Sequence, residues 1–323
     1  MSSQTTIRGI DLTKFLMAIV IVSIHVQISQ IVGDFYVTFQ NCAVPVFFVF
    51  SSYFFFKKMR KTSGKELWKG LWNYEKRINK LYLFWLVVLS PAILRWWHKE
   101  YLELPIGQAI GAFIKNYFFA YEFGASWFLG ALIVGIPIVL LLTRWLNDKV
   151  VWIIPFIIYT YICKCPDGYL FELYESYLRT PQLSFPYALW WLVLGHLLSN
   201  ESIDKYIKRI NIYISAAIFI ASLLIGILFE NFEFVTRSIS VIAIFALAIN
   251  MKLKDYPMLY TRLRTYSIHF YCLHFSLILA LGHFFWDNTL LMFILTLIIC
   301  LIVSETIIRL QDKPLFKWLK YSK

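Results

Sequence analysis

The 323-residue sequence has little charge, few cysteines and no low-complexity segment or internal repeat. Only 15% of its residues are charged and 59% are hydrophobic, so the chain lacks the polar surface that a soluble domain of this length needs. This lack excludes a soluble globular domain and indicates an integral membrane protein.

The chain also lacks the residue clusters that bind metals or form disulfide frameworks. Cys163 and Cys165 have neither the spacing of a zinc site nor a second pair to complete one. Three histidines lie on one predicted span, His269, His274 and His283, but no cluster of carboxylates or cysteines accompanies them. We therefore predict no metal and no disulfides.

Long apolar runs are what the sequence does contain. A helix needs about 20 apolar residues to cross hydrocarbon, and open backbone groups are excluded there, so these runs predict helices. The expected fold class is all-α, a polytopic membrane protein formed by a single bundle of about ten transmembrane helices in one domain, 1–323. The predicted spans are 10–31, 41–56, 78–97, 127–143, 150–163, 183–199, 210–229, 235–251, 266–286 and 289–308.

Basic residues predict the orientation of these spans. If both termini are cytoplasmic, the inner segments hold 25 of the 31 Lys and Arg residues, as the positive-inside rule requires. We therefore predict a multi-pass protein of the plasma (inner) membrane. The net charge of +12 then reflects sidedness and gives no reason to expect a nucleic-acid partner.

Two segments between spans are long enough to form structure of their own. Basic residues alternate with Leu and Trp over 57–80, which predicts an amphipathic helix at the inner headgroups. The segment 104–126 is rich in Ile, Phe and Tyr, which predicts a surface or re-entrant helix on the outer side.

The first apolar run carries two ionisable residues, Lys14 and His25. Eleven positions are about three helical turns, so both side chains should lie on one stripe, about 16 Å apart along the axis. Ionisable groups inside a membrane face protein or water and mark functional sites. Lys14 is expected near the inner surface, where it could pair with Asp11, and His25 in the outer half of the bilayer.

The residues resemble the membrane acyltransferase-3 family over nearly the whole chain. The first motif is a basic residue, ten spacers and a histidine, here Lys14 and His25, within an opening of the type Arg-Gly-(Ile/Leu)-Asp. The other matching segments, in order, are Val44 to Tyr53, with Ser52 where glycine is usual, Arg77, Ser126 to Leu129, Leu194 to Leu198 and Ile268 to His274.

The resemblance implies transfer of acyl groups, most often acetyl, from cytoplasmic acyl-CoA to exported sugars or lipid-linked glycans. Acyl-CoA is then the donor substrate, no cofactor is tightly bound, and a glycan and the lipid bilayer are the other partners. An imidazole has an unperturbed pKa of about 6.5, which suits removal of a hydroxyl proton, so His25 is the expected general base or acyl relay. The remaining candidates are Lys14 as its catalytic partner and, for substrate binding, Arg8, Asp11, Ser51, Arg77, Lys80, Trp127 and His274.

Each candidate residue has a structural alternative. Lys14 could extend to the inner headgroups, and His25 or His274 could be hydrogen-bonded packing residues. Ser51 could bond a carbonyl of its own helix, and Trp127 could lie in the interfacial belt. Arg8 and Arg77 could serve only as orientation signals.

Other functions also stay open at the level of sequence. The main alternative is a membrane carrier for a small solute or glycan. A structural subunit is a third possible function, but it would not explain why Lys14 and His25 lie in an apolar segment. The sequence names neither the acceptor nor the oligomeric state. It also leaves open acetyl or longer acyl donors, and direct transfer or an acyl-histidine intermediate.

Overall fold

The computed structural model describes residues 7–285 and 287–323, and within these residues the regular structure is entirely helical. Short 3-10 or π segments connect several of the α-helices. The α-helices, in chain order, are α1 (Arg8–His25), α2 (Ser29–Val32), α3 (Asp34–Gln40), α4 (Ala43–Met59), α5 (Gly64–Trp97), α6 (Ile106–Phe119), α7 (Trp127–Trp145), α8 (Asp148–Lys164), α9 (Tyr169–Tyr177), α10 (Phe185–Leu198), α11 (Glu201–Ile207), α12 (Ile212–Leu228), α13 (Glu233–Asn250), α14 (Pro257–Phe285) and α15 (Thr289–Leu310).

A helix covers most of each of the ten predicted apolar segments, so the all-α prediction is confirmed. By length and composition, six of the described helices are suited to cross a membrane, or up to eight if each of two strongly bent helix pairs forms one span. Helix α1 is outside the six because Arg8, Asp11 and Lys14 fall within its 18 residues. The count of ten spans stays a prediction, and Trp286, the last residue of the predicted span 266–286, lies outside the described residues.

Two predicted boundaries are wrong. The amphipathic segment 57–80 is divided between the end of α4 and α5, and its larger part, from Gly64, continues without a break into the span 78–97. The predicted span 10–31 is interrupted after His25, where Gln27 adopts a positive φ of 60° before the short α2 begins. Outside these two places, the helix limits differ from the predicted limits by a few residues, apart from α14, which begins earlier.

Local sequence explains where several helices begin. Asn147 lies just before α8, and its side-chain oxygen accepts a hydrogen bond from the Val150 amide at 3.0 Å. Asn211 caps α12 and Asn288 caps α15 in the same manner. Each asparagine satisfies an amide that the first helical turn would otherwise leave unpaired.

The fold divides into two compact units. Of the described residues, the first unit comprises those up to Phe50, those from Asn200 to Tyr321, and Lys323, and the second comprises Ser51–Ser199 and Ser322. In the first unit, α1 packs against α14 and α12 packs against α13. In the second, α10 packs against both α7 and α8. The prediction of a single domain stays a prediction.

Candidate active site

Five of the nine predicted site residues lie in the first unit, four of them on α1 and one on α14. The two helices run parallel, because Asp11 contacts Arg264, Phe15 contacts Phe270, and further along His25 contacts His274. Helix α14 is therefore the partner that positions side chains along α1.

The first residue of α1 is tied to the segment that precedes α14. Arg8 donates a hydrogen bond to the Leu253 carbonyl at 3.0 Å and forms an ion pair of 2.7 Å with Asp255. The Arg8 side chain is 35% exposed and that of Asp255 68%, so water competes for this pair. A surface pocket of about 530 Å³ is lined by Asp255 and the four residues that follow it.

Gly9 allows α1 to approach the end of α13 closely. A Cβ atom at this position would lie 2.0 Å from the Ala248 carbonyl oxygen, far inside any allowed contact. Packing therefore requires glycine here. Within the Arg-Gly-Ile-Asp opening of α1, Gly9 has a structural role.

Asp11 pairs with a residue that the sequence did not suggest. Its two carboxylate oxygens accept hydrogen bonds from the Arg264 Nε and NH2 groups at 2.8 and 2.7 Å. The Asp11 side chain is 7% exposed and that of Arg264 35%. Asp11 thus forms a bidentate ion pair with a residue 253 positions away in the sequence. From the sequence, only its neighbour Lys14 was considered as a partner.

Lys14 lies half-buried beside aromatic rings. Its Nζ is 5.8 Å from the centre of the Phe50 ring, close enough for a cation–π contact. Phe50 in turn lies 5.8 Å from the ring of Phe245 on α13. Both partners are buried, so the Lys14 side chain lies against the packed interior of the first unit.

His25 is the last residue of α1 and is exposed, while His274 on α14 is fully buried. Their ring centres are 4.9 Å apart, and the rings of His25 and Phe275 form a nearly perpendicular pair with centres 5.3 Å apart. The next residues, Val26 and Ile28, enter a small apolar cluster with Ile278 and Met292, which holds the end of α1 against α14 and α15.

The hydrogen bonds of His274 define its tautomer. Its Nδ1 lies 2.9 Å from the Phe270 carbonyl oxygen, and because a carbonyl only accepts, Nδ1 carries the proton. A neutral ring then leaves a lone pair on Nε2. This atom is buried and has no hydrogen-bond partner among the described residues.

A row of aromatic rings connects the surroundings of Lys14 with the histidine pair. Phe50 and Phe47 are one turn apart on α4, Phe47 is 6.1 Å from Tyr271, and Tyr271 is 6.0 Å from His274. Lys14 and His25 therefore contact the two ends of one row of buried side chains, as two residues on one helical stripe should.

The other four predicted residues lie in the second unit. Ser51 on α4 is half-buried, and Arg77 and Lys80 on α5 are exposed, with the Arg77 guanidinium 5.6 Å from the ring centre of Tyr74. Trp127 begins α7 and is buried, 6.5 Å from the Tyr187 ring. Ser52, where the family pattern has glycine, donates a hydrogen bond to the Leu192 carbonyl of α10.

Glu122 is the centre of a closed polar cluster in the second unit, with Tyr101, Trp97, Asn116 and Arg179. Its carboxylate accepts from the Tyr101 hydroxyl at 2.7 Å and from the Trp97 indole at 3.1 Å, while Asn116 donates to Tyr101 and Arg179 to Asn116. Burial raises the pKa of Glu122 to about 7, although these two hydrogen bonds and the nearby Arg179 oppose that rise. We name this group the Glu122 cluster.

Two further polar residues lie within helices: His269 on α14 is fully buried, and Arg237 lies near the start of α13. Among the described residues no group of three or more His, Cys, Asp or Glu side chains has the arrangement of a metal site, and the absence of a metal stays a prediction.

The comparison with protein families decides the assignment. The acyltransferase 3 family model, described as an acyltransferase domain, matches residues 7–309. The chain belongs to the acyltransferase 3 family. The family assignment and the apolar helices make it a membrane acyltransferase that transfers groups other than aminoacyl groups, as the motifs predicted. No curated protein and no solved structure matches the chain.

Proposed function

We propose that this acyltransferase moves an acyl group, most simply acetyl, from cytoplasmic acyl-CoA to a hydroxyl of an extracytoplasmic sugar or cell-surface polysaccharide. The observation that carries the proposal is the histidine pair: an accessible imidazole, His25, lies against a buried imidazole, His274, whose Nε2 has no hydrogen-bond partner among the described residues. An accessible base oriented by a second group is the arrangement that activates a hydroxyl.

In the proposed reaction, His25 removes the proton of the acceptor hydroxyl while the hydroxyl oxygen attacks the thioester carbon. The carbon–sulfur bond then breaks, and the proton moves from His25 to the CoA sulfur, which yields an ester and free CoA. The lone pair of His274 Nε2 accepts the N–H of His25 as that ring becomes positively charged. The Phe270 carbonyl keeps His274 in the tautomer that this step requires.

Cations at the start of α1 suit the phosphates of acyl-CoA. The Arg8–Asp255 pair is solvent-accessible, so a phosphate can replace Asp255 at low cost. The pocket lined by Asp255 to Leu259 lies directly at this pair. Lys14 is the next cation along α1, and the aromatic row beyond it offers an apolar path for the thioester arm toward His25.

The second unit supplies further candidates for this reaction. Arg77 and Lys80 are cations three residues apart on α5, and both are exposed. A side chain that binds phosphate must be accessible, and these two meet that requirement. We also propose that Ser51 and Trp127 contact the substrate. Asp11, in the first unit, fixes α1 beside α14.

The proposal includes a topology of ten spans in the plasma membrane, with both termini in the cytoplasm. Its support is the distribution of basic residues, because 25 of 31 fall on the predicted inner side. Donor and acceptor would then approach the histidine pair from opposite sides of the membrane.

A labelling experiment tests the proposed function. Purified protein in liposomes is supplied with radiolabelled acetyl-CoA and with surface polysaccharide whose esters have been removed by alkali. We expect alkali-labile label in the polysaccharide, and none in liposomes without protein. Folded protein that neither labels the polysaccharide nor consumes acetyl-CoA would contradict the proposal, and uptake of labelled sugar without CoA binding would indicate a carrier.

A further inference from the structure

A second group of polar side chains lies in the first unit, where α3 meets the beginning of α13. Asn41, which follows α3, donates to the Glu233 carboxylate at 3.1 Å, and Arg237 forms an ion pair with the same carboxylate one helical turn away. Gln40, the last residue of α3, is 8% exposed, and its Oε1 is buried without a hydrogen-bond partner among the described residues. None of these residues was selected from the sequence.

This group is connected to the end of α1 that carries His25. The Ser23 hydroxyl, two residues before His25, lies 2.5 Å from the Tyr36 hydroxyl of α3. Gln40 follows Tyr36 by four residues, and residues four apart share one face of a helix. The face of α3 that contacts α1 two residues before His25, through Tyr36, therefore also carries Gln40, one helical turn beyond Tyr36.

Simple stabilisation does not account well for these residues. The Arg237 side chain is 14% exposed and that of Glu233 33%, and both belong to the apolar segment Glu230–Asn250, which is suited to cross a membrane. The two residues are also four apart on one helix, and such a pair adds little stability because it joins no second helix. Charged residues within membrane segments instead mark substrate pathways.

The chemistry of the group indicates the ligand. The charges of Arg237 and Glu233 cancel, so the group attracts neither anions nor cations strongly. Its carboxylate and amide oxygens accept hydrogen bonds, while the guanidinium and amide nitrogens donate them, which suits the paired hydroxyls of a sugar. The rings of Tyr36 and Phe39, 5.9 Å apart on the adjacent turn, offer apolar surface for the ring carbons.

We propose that Gln40, Asn41, Glu233 and Arg237 form the acceptor-binding subsite, which holds a neutral, hydroxyl-rich sugar ring for acyl transfer at His25. This inference rests on the proposed function and adds to it the residues that bind the acceptor and the expectation that the bound sugar ring is uncharged. The unpartnered oxygen of Gln40 accepts a hydroxyl of the sugar, and the Glu233 carboxylate accepts a second.

The Gln40→Met variant gives the sharpest test, because Gln40 Oε1 has no described protein partner to lose and methionine has a similar volume. The probe is the alkali-treated surface polysaccharide, and the measured quantities are KM for this acceptor, kcat and the melting temperature. We expect KM to rise about tenfold, as loss of one or two hydrogen bonds predicts, with kcat and melting temperature nearly unchanged. Glu233→Gln should raise KM further.

The matched control is Glu230→Gln, which alters an exposed carboxylate next to the same helix and should leave KM unchanged. The inference is overturned if Gln40→Met and Glu233→Gln both fold and keep the wild-type KM while the wild-type protein transfers label. If wild-type protein neither transfers label nor consumes acetyl-CoA, the proposed function fails, and the subsite fails with it.

Discussion

Helices α1 and α14 meet at two polar contacts that differ in how completely their hydrogen bonds are satisfied. Near the start of α1, both oxygens of Asp11 are occupied by the Arg264 guanidinium. At its end, His25 is accessible, and the buried Nε2 of His274 has no partner among the described residues. The first contact holds the helices together, while the second keeps a buried acceptor, which the proposed reaction uses to stabilise His25 when that ring becomes charged. The family motif therefore combines residues with a structural role and residues proposed to take part in the reaction. It includes Arg8, Asp11, Lys14 and His25.

The largest effect is expected from His274→Phe, which keeps a ring and removes both nitrogens. Without the Nε2 lone pair, the charge that develops on His25 loses its stabilising partner, so kcat should fall about 100-fold. KM for the acceptor should change little, because in the proposed reaction His274 acts through His25. The measurement is a comparison of kcat and KM with the wild-type protein. A rise in KM as large as the fall in kcat would argue for a purely structural role.

The Asp11→Ala variant breaks the closed contact instead. It leaves the Arg264 guanidinium without its carboxylate in a partly buried place, so stability should fall by about 2 kcal/mol. The measurement is the melting temperature in detergent. The matched control, Asp255→Ala, breaks the exposed pair with Arg8 and should cost less than about 1 kcal/mol. Equal losses for the two variants would show that burial of the Asp11 pair has no energetic consequence.

The Gly9→Ala variant tests the packing beside the closed contact. An added Cβ would overlap the Ala248 carbonyl, so α1 must shift away from α13, at a cost of about 1–2 kcal/mol. Thermal unfolding measures this cost. The control is Gly107→Ala on α6, where a Cβ meets no atom within 4 Å and where stability should be unchanged or slightly higher. Wild-type stability of Gly9→Ala would refute the close approach.

The smallest effect concerns the Glu122 cluster, where a closed network surrounds a titratable group. Burial raises its pKa from 4.5 to about 7, so between these pH values the folded protein binds more protons than the unfolded chain. Stability from this residue is therefore present at low pH and is lost as the pH rises through 7. The other charged groups facing it are Arg179 and, more distantly, Glu100.

The Glu122→Gln variant removes this titration while keeping the shape of the side chain. We expect its melting temperature to change less between pH 5 and pH 8 than that of the wild-type protein. Glu103→Gln, at an exposed carboxylate nearby in sequence, should keep the wild-type slope. A variant Glu122→Gln with the wild-type slope would show that Glu122 is ionised throughout this range.

Sequence reasoning located the long apolar helices because a continuous apolar run is a local property. It also selected His25 and His274, since polar residues inside apolar runs are visible in one dimension. It missed Arg264 as the partner of Asp11, which lies 253 residues away, and it missed the group formed by Gln40 and Glu233. Such pairs depend on which helices pack together, and no local pattern encodes that choice.

The end of α1 shows a different kind of failure. Mostly apolar residues continue past His25 to Val32, so the apolar run predicted one helix through this region. The structure turns at Gln27 because Val26 and Ile28 bury themselves against Ile278 and Met292. Tertiary packing here overrides helix propensity, and it leaves His25 at an accessible helix end.

The most direct test of the account is the rate of acyl transfer by His25→Ala, measured with radiolabelled acetyl-CoA and alkali-treated surface polysaccharide and normalised to folded protein. His283→Ala, an exposed histidine near the end of α14, is the control. We predict that His25→Ala loses about 100- to 10,000-fold in rate with an unchanged melting temperature, while the control keeps wild-type activity. Transfer by folded His25→Ala at the wild-type rate would contradict the account.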